Sequence, residues 1–150
     1  MNEIEKSMIN INHLRRGNII GYKIDGDEYM GVIIRILDKH VTVLNSPTRK
    51  EVFLNNNQLF ALKMNDEWLL GMGFEFVMDQ ANMRIVYSLG DGTDKCVVYE
   101  TIVLNPDHDV EKRYSYRISG TTHIPIETVD ELQNIYLDHK KKQILLLNID

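Results

Sequence analysis

Cysteine is almost missing from this chain. Cys96 stands alone among 150 residues, which excludes an internal disulfide and any multi-cysteine metal site. Within the apolar run "CVVYETIVL" it reads as a small buried hydrophobe, because the run that follows it is apolar and nothing in the pattern marks a reactive thiol. With only three prolines, no proline-rich or low-complexity linker interrupts the sequence. No uninterrupted apolar stretch approaches membrane-spanning length, and "MNEIEKSMININ" has no basic region leading into an apolar one. The expectation is a protein of the cytoplasm with no membrane attachment. Positive charge is not in excess either. The net charge is −5, and neither half is strongly cationic, which disfavours a sequence-independent grip on duplex DNA.

What is present is a regular succession of short strand-like segments. A length of 150 residues suits one domain, or one with a small satellite. "NIIGYKI" leads into Asp25-Gly26-Asp27, a tight reversal that tolerates positive φ. "EYMGVIIRIL", the Asp38-Lys39 turn and "HVTVLN" follow. Ser46-Pro47 ends that strand, since proline lacks the amide hydrogen a ladder requires. "KEVFLN" and "QLFALK" complete about five strands with turns at intervals of roughly ten residues. The pattern predicts a small, curled antiparallel sheet, barrel-like and SH3-like.

The stretch "NDEWLLGMGFEF" predicts a short linking helix. Asn65 is placed to cap it, and Asp66 and Glu67 meet the positive end of the helix dipole. Trp68, Leu69 and Met72 form its apolar face, so the single tryptophan is expected in the core. Gly73 suits the left-handed residue that ends a helix, with Phe74 folding back toward Leu69.

A second β region follows in "FEFVMD", "MRIVYSL", "KCVVYETIVL" and "KRYSYRISG". The turns between them are Gln80-Ala81-Asn82, the Gly90–Asp94 segment and Asn105-Pro106-Asp107. Such short connections require an antiparallel meander. After the extended piece "THIPI", Thr128 and Glu131 form a capping box for an amphipathic helix. Val129, Leu132, Ile135 and Tyr136 mark its buried stripe, and Lys140, Lys141 and Lys142 suit its negative end. "QILLLN" is either a last strand or an unpaired apolar tail. The predicted class is α+β. It divides into a flexible lead-in at 1–13, a small barrel-like subdomain at 14–63 and an α+β subdomain at 64–150, with a single domain formed by the last two as the alternative.

Three stretches, "HLRRGN", "DEWLLGMGF" and "TVDELQNIY", together resemble a family of small uncharacterised proteins encoded by phages, prophages and mobile elements of gut Bacteroidota. Its opening Leu-Arg-x-Gly-Asn is matched by Leu14, Arg15, Gly17 and Asn18. Its central Glu-Trp-Leu-Leu and Gly-Phe are matched by Glu67, Trp68, Leu69, Leu70, Gly73 and Phe74. Its closing helix is matched by Val129, Leu132, Gln133, Asn134 and Tyr136, with Ile135 conservative. Thr128 and Asp130 stand where that helix has Tyr and His, and "DHKKKQ" replaces a glycine-containing segment. The motifs cover under a third of the chain. The resemblance implies an origin and a layout, and brings no catalytic residue.

The residues themselves offer little chemistry. Asp107, His108 and Asp109 are adjacent acids and a histidine, a poor geometry for converging on one ion. "GDGTDK" lacks the Gly-Lys-Ser/Thr ending of a phosphate loop and the ligand spacing of a calcium loop. No Gly-x-Ser-x-Gly elbow appears, and no acid pair has acid–base spacing. No cofactor, metal or catalytic residue is therefore assigned. His123, beside Thr121 and Thr122, is the histidine to watch.

The favoured expectation is a non-catalytic accessory protein that binds a host or phage protein, with modulation of host defence as its role. Tyr114, Tyr116 and Arg117 are its candidate contacts. A first alternative is capture of a small anionic nucleotide by Arg15 and Arg16 beside free amides at Gly17 and Asn18. A second is single-stranded nucleic-acid binding by Tyr22, Tyr29, Phe53 and Phe60 on the first sheet. Exposed sheet edges would also allow a homo-oligomer.

Overall fold

The computed structural model describes residues 6–7, 9, 11–79, 84–90, 95–107, 109–120 and 122–140. The turn at 80–82, the body of the 90–94 turn, His108, Thr121, Lys141, Lys142, the 143–148 segment and most of the lead-in lie outside them. The described elements are mostly antiparallel strands, gathered into two units.

The first unit is the chain up to Lys63 together with the helix that follows Thr128. Its strands are β1 (Lys6–Ser7), β2 (Ile19–Ile24), β3 (Asp27–Ile36), β4 (His40–Ser46), β5 (Glu51–Asn55) and β6 (Leu59–Leu62). Asp25 and Gly26 both have positive φ and turn β2 into β3, as their composition requires. After β5 a 3-10 turn at Asn56–Gln58 sends β6 back to pair with β2, giving the order β1-β6-β2-β3-β4-β5. Among the described residues no pairing joins β5 to β1, so the sheet is open rather than a closed barrel. Leu14, Ile20, Tyr22, Ile33, Val41, Val43, Leu54 and Leu59 form its core. Asn45 organises the turn after β4: its side-chain oxygen accepts from the Thr48 hydroxyl at 2.7 Å, and its amide donates to the Tyr22 hydroxyl.

The terminal helix α2 (Val129–Lys140) corrects the expected division at 64–150. It packs against β2 and β6, and Thr128 bridges to Lys63, so it belongs to the first unit. Val129 and Leu132 are fully buried and Tyr136 nearly so. That apolar stripe needs a sheet to cover, and only three-dimensional closure reveals which one.

The second unit runs from Met64 to Glu127 in the described residues. It begins with α1 (Asp66–Gly71), capped by Asn65, whose side chain accepts from the Trp68 amide at 2.9 Å. Gly73, at φ 95°, ends the helix; its amide donates to Leu70 O and the Phe74 amide to Leu69 O. These are the paired bonds of a Schellman motif, which requires the left-handed conformation glycine adopts without penalty. Leu69, Met72 and Phe74 are buried, but Trp68 is only half-buried. The expected core position of the tryptophan is thus corrected: a six-residue helix buries one narrow stripe, and Leu69 occupies it.

The meander comprises β7 (Glu75–Asp79), β8 (Arg84–Leu89), β9 (Cys96–Leu104), β10 (Val110–Ser119) and β11 (Thr122–Ile126). Its order β11-β10-β9-β8-β7 is antiparallel throughout. Cys96 is buried in β9. Among the described residues no helix is long and apolar enough to cross a membrane.

Candidate functional site

The segments Leu14–Asn18 and Val129–Tyr136 are far apart in sequence, and the structure interlocks them. Gly17, at φ 91°, turns the chain so that its amide reaches Ile33 O at 2.8 Å. The Asn18 side-chain oxygen accepts from the Arg15 amide at 2.7 Å, and the Asn18 side-chain amide donates to the Asn134 oxygen at 2.8 Å. Asn134 in turn donates to His13 O at 2.7 Å. Gln133 accepts from the Ile19 amide at 2.7 Å and donates to Gly17 O at 2.9 Å. Gln133 and Asn18 are buried, so each bond replaces water that cannot reach these groups. Leu14 seals the joint from the apolar side. These motif side chains act as a latch.

Beside the latch lies a cavity of about 580 Å³, lined by residues 12–15 and by Thr128, Asp130, Glu131, Asn134, Ile135 and Asp138. Arg15 faces Asp138 with two parallel bonds of 2.6 and 3.0 Å. Asp130 is 3% exposed, and its Oδ1 is buried without a hydrogen-bond partner. Burial holds the Asp130 carboxyl above the ordinary aspartate range, against the pull of the Thr128 hydroxyl, the first-turn amides and His13. Thr128 also donates to Glu131 at 3.0 Å, joining the two side chains of the expected capping box directly.

This geometry removes support from anion capture at Arg15, while Arg16 is exposed. The Arg15 charge is answered by Asp138, and the Gly17 and Asn18 amides donate to Ile33 O and Arg15 O. The stacking surface expected on the first sheet is also reduced. Tyr22 is buried against Tyr29, and Phe60 is half-buried, leaving Tyr29 and Phe53 exposed, the latter with His40 stacked on it at 4.7 Å.

In the second unit, Tyr114 and Tyr116 are 5% and 0% exposed, which corrects their assignment as contacts. Their shared period-two face is the inward one. Tyr114 donates to Asp66 Oδ1 at 2.5 Å, and Lys112 Nζ lies 2.7 Å from Asp66 and 3.1 Å from Glu100. Burial alone would raise the Asp66 carboxyl, but Lys112 and the hydroxyls of Tyr114 and Tyr87 outweigh it and leave it below the usual range. Burial raises Glu100, and the Asp66 charge adds to that effect while Lys112 opposes it. Such a split pair would suit acid–base chemistry, yet the Glu100 side chain has 0% exposure and no substrate can reach it. The cluster is structural. An acid inside "CVVYETIVL" was the one sequence signal for it.

Arg117 and His123 sit opposite each other on β10 and β11, both half-buried. The His123 ring lies 4.7 Å from Tyr99, and Arg84 caps the same tyrosine at 3.8 Å. Among the described residues no three His, Cys, Asp or Glu side chains are grouped to hold a metal ion.

The apolar surface lies elsewhere on this sheet. β7 is an edge strand, and Phe76, Val77 and Met78 are 52%, 52% and 56% exposed. Ile102, Leu104 and Val110, at the far end of the β9–β10 hairpin, are also exposed. No protein-family model, curated protein or solved structure matches this chain.

Proposed function

We propose that this is a non-catalytic binding protein that takes an extended segment of another protein along the open side of β7. The observation that carries the reading is the apolar edge itself. Phe76, Val77 and Met78 are exposed on both faces of a strand whose outer backbone groups no described strand satisfies. Proteins usually blunt such edges with lysine, proline or a covering element, because an open edge recruits another strand. The opposite edge, β11, carries Pro125; β7 has no such guard. Strand addition supplies affinity through main-chain bonds, and alternate side chains supply selectivity.

The resemblance of the three motifs supports a phage or mobile-element origin, and we extend the reading to an accessory protein acting in the host cytoplasm on a host or phage protein and modulating host defence. The strand order and the 3-10 turn before β6 support reading the first unit as SH3-like, with the sheet left open. Affinity capture from host lysate with the wild type and Val77→Lys tests the proposal. A discrete partner held by the wild type and lost by an equally stable variant is expected. Equal capture by both, or none by either, would contradict it.

A further inference from the structure

The register of β7 specifies what a strand lying on its open side must carry. Successive side chains alternate between the two faces of a sheet. Phe76 and Met78 share one face with Tyr87 and Ile85, their partners on β8, and the Phe76 ring meets Tyr87 edge-on at 5.8 Å. Glu75, Val77 and Asp79 share the other face. Asp79 is engaged by Arg84, opposite it on β8, at 3.4 Å. Glu75 stands opposite Ser88 instead, and no described side chain pairs with its exposed carboxylate. The edge thus offers an apolar lane on one face and a single unanswered negative charge on the other.

Resting on the strand-addition reading above, we propose that the occupant of β7 is a segment of another protein with a basic residue in register with Glu75. It runs antiparallel to β7, setting large apolar side chains beside Met78 and Phe76 and a lysine or arginine opposite Glu75. Antiparallel pairing matches every other contact in this sheet and is slightly the more stable kind per residue. An acidic segment would meet Glu75 with like charge, which is destabilising when directly opposite. The same rule disfavours a second copy of this chain. Two-fold antiparallel pairing about Val77 would set Glu75 opposite Asp79 of the copy, twice.

Amide chemical-shift titration of the full chain tests this with three capped peptides in glycine-serine flanks, centred on Leu-Val-Leu-Lys, Leu-Val-Leu-Glu and Lys-Leu-Val-Leu. Shifts along Glu75–Asp79 are expected, with the lysine-ended peptide binding roughly fivefold to tenfold tighter than the glutamate-ended one. That ratio is the scale of one exposed cross-strand attraction gained and one repulsion removed. Glu75→Lys should reverse the order, and Glu75→Gln should bring the two peptides level. Equal binding of all three peptides on β7, an order unmoved by Glu75→Lys, or tighter binding of the lysine-first peptide would overturn this inference and leave strand addition standing. Shifts away from β7, or none at millimolar peptide, would overturn both. Sedimentation of the wild type as a dimer that Val77→Lys dissociates would overturn the choice of occupant.

Discussion

The latch of the first unit and the open edge of the second use their side chains in opposite ways. Around Asn18 and Gln133 the polar groups meet backbone or side-chain partners within 2.7–2.9 Å, and the residues involved are those of the recognisable motifs. Along β7 the apolar side chains face outward, and Phe76, Val77 and Met78 carry surface that folding leaves uncovered. A motif can therefore record what holds a fold together, while the surface available to a partner carries no motif at all. The Asp66–Lys112–Glu100 cluster resembles the latch in this respect: its chemistry is spent internally.

Substitutions should separate the two regions, and the largest effect belongs to the latch. Gln133→Leu leaves the Ile19 amide and the Gly17 carbonyl without partners, and should cost about 2–4 kcal/mol. Thermal unfolding would fall by about 2–4 °C for each of those kcal/mol. Next comes Lys112→Met, which isolates the buried Glu100. Lys112 is 48% exposed, so a loss of about 1–2 kcal/mol in urea unfolding is expected, below that of a fully buried pair. Adding Glu100→Gln should recover most of it, because the stranded charge is gone.

A smaller effect is set by pH. The folded-state pKa of Asp130 is raised, so its favourable contribution is complete below the unfolded aspartate value, about 3.9, and is lost as pH rises through the folded value. Asp130→Asn should consequently be more stable than the wild type at pH 7, and the gain should vanish near pH 3, as read by melting at both pH values. Arg15→Gln removes a pair with both partners well exposed and should cost under about 1 kcal/mol. Val77→Lys, on the open edge, should leave the melting temperature unchanged while abolishing partner capture.

Much of the fold was legible because its signals are local. The Asp25-Gly26 reversal, the Asn65 cap and the Gly73 stop each rest on the conformational needs of one or two residues, and the strands fall within a residue or two of their patterns. Period two put Tyr114 and Tyr116 on one face but could not say which face is covered. Trp68 shares its face with Leu69, and a two-turn helix leaves room for only one of them in the core. The return of α2 to the first unit, the cavity at Asp130 and the pairing of Asp66 with Glu100 depend on contacts between distant segments. No local pattern encodes those.

The central claim is that the paired motifs are structural and energetically joined. A double-mutant cycle on Asn18→Ala and Asn134→Ala, read by urea unfolding, tests it most directly. The direct 2.8 Å bond between them predicts a coupling energy of about 1 kcal/mol, with partner capture intact in every folded member of the cycle. Additive losses, or loss of the partner with stability unchanged, would contradict it.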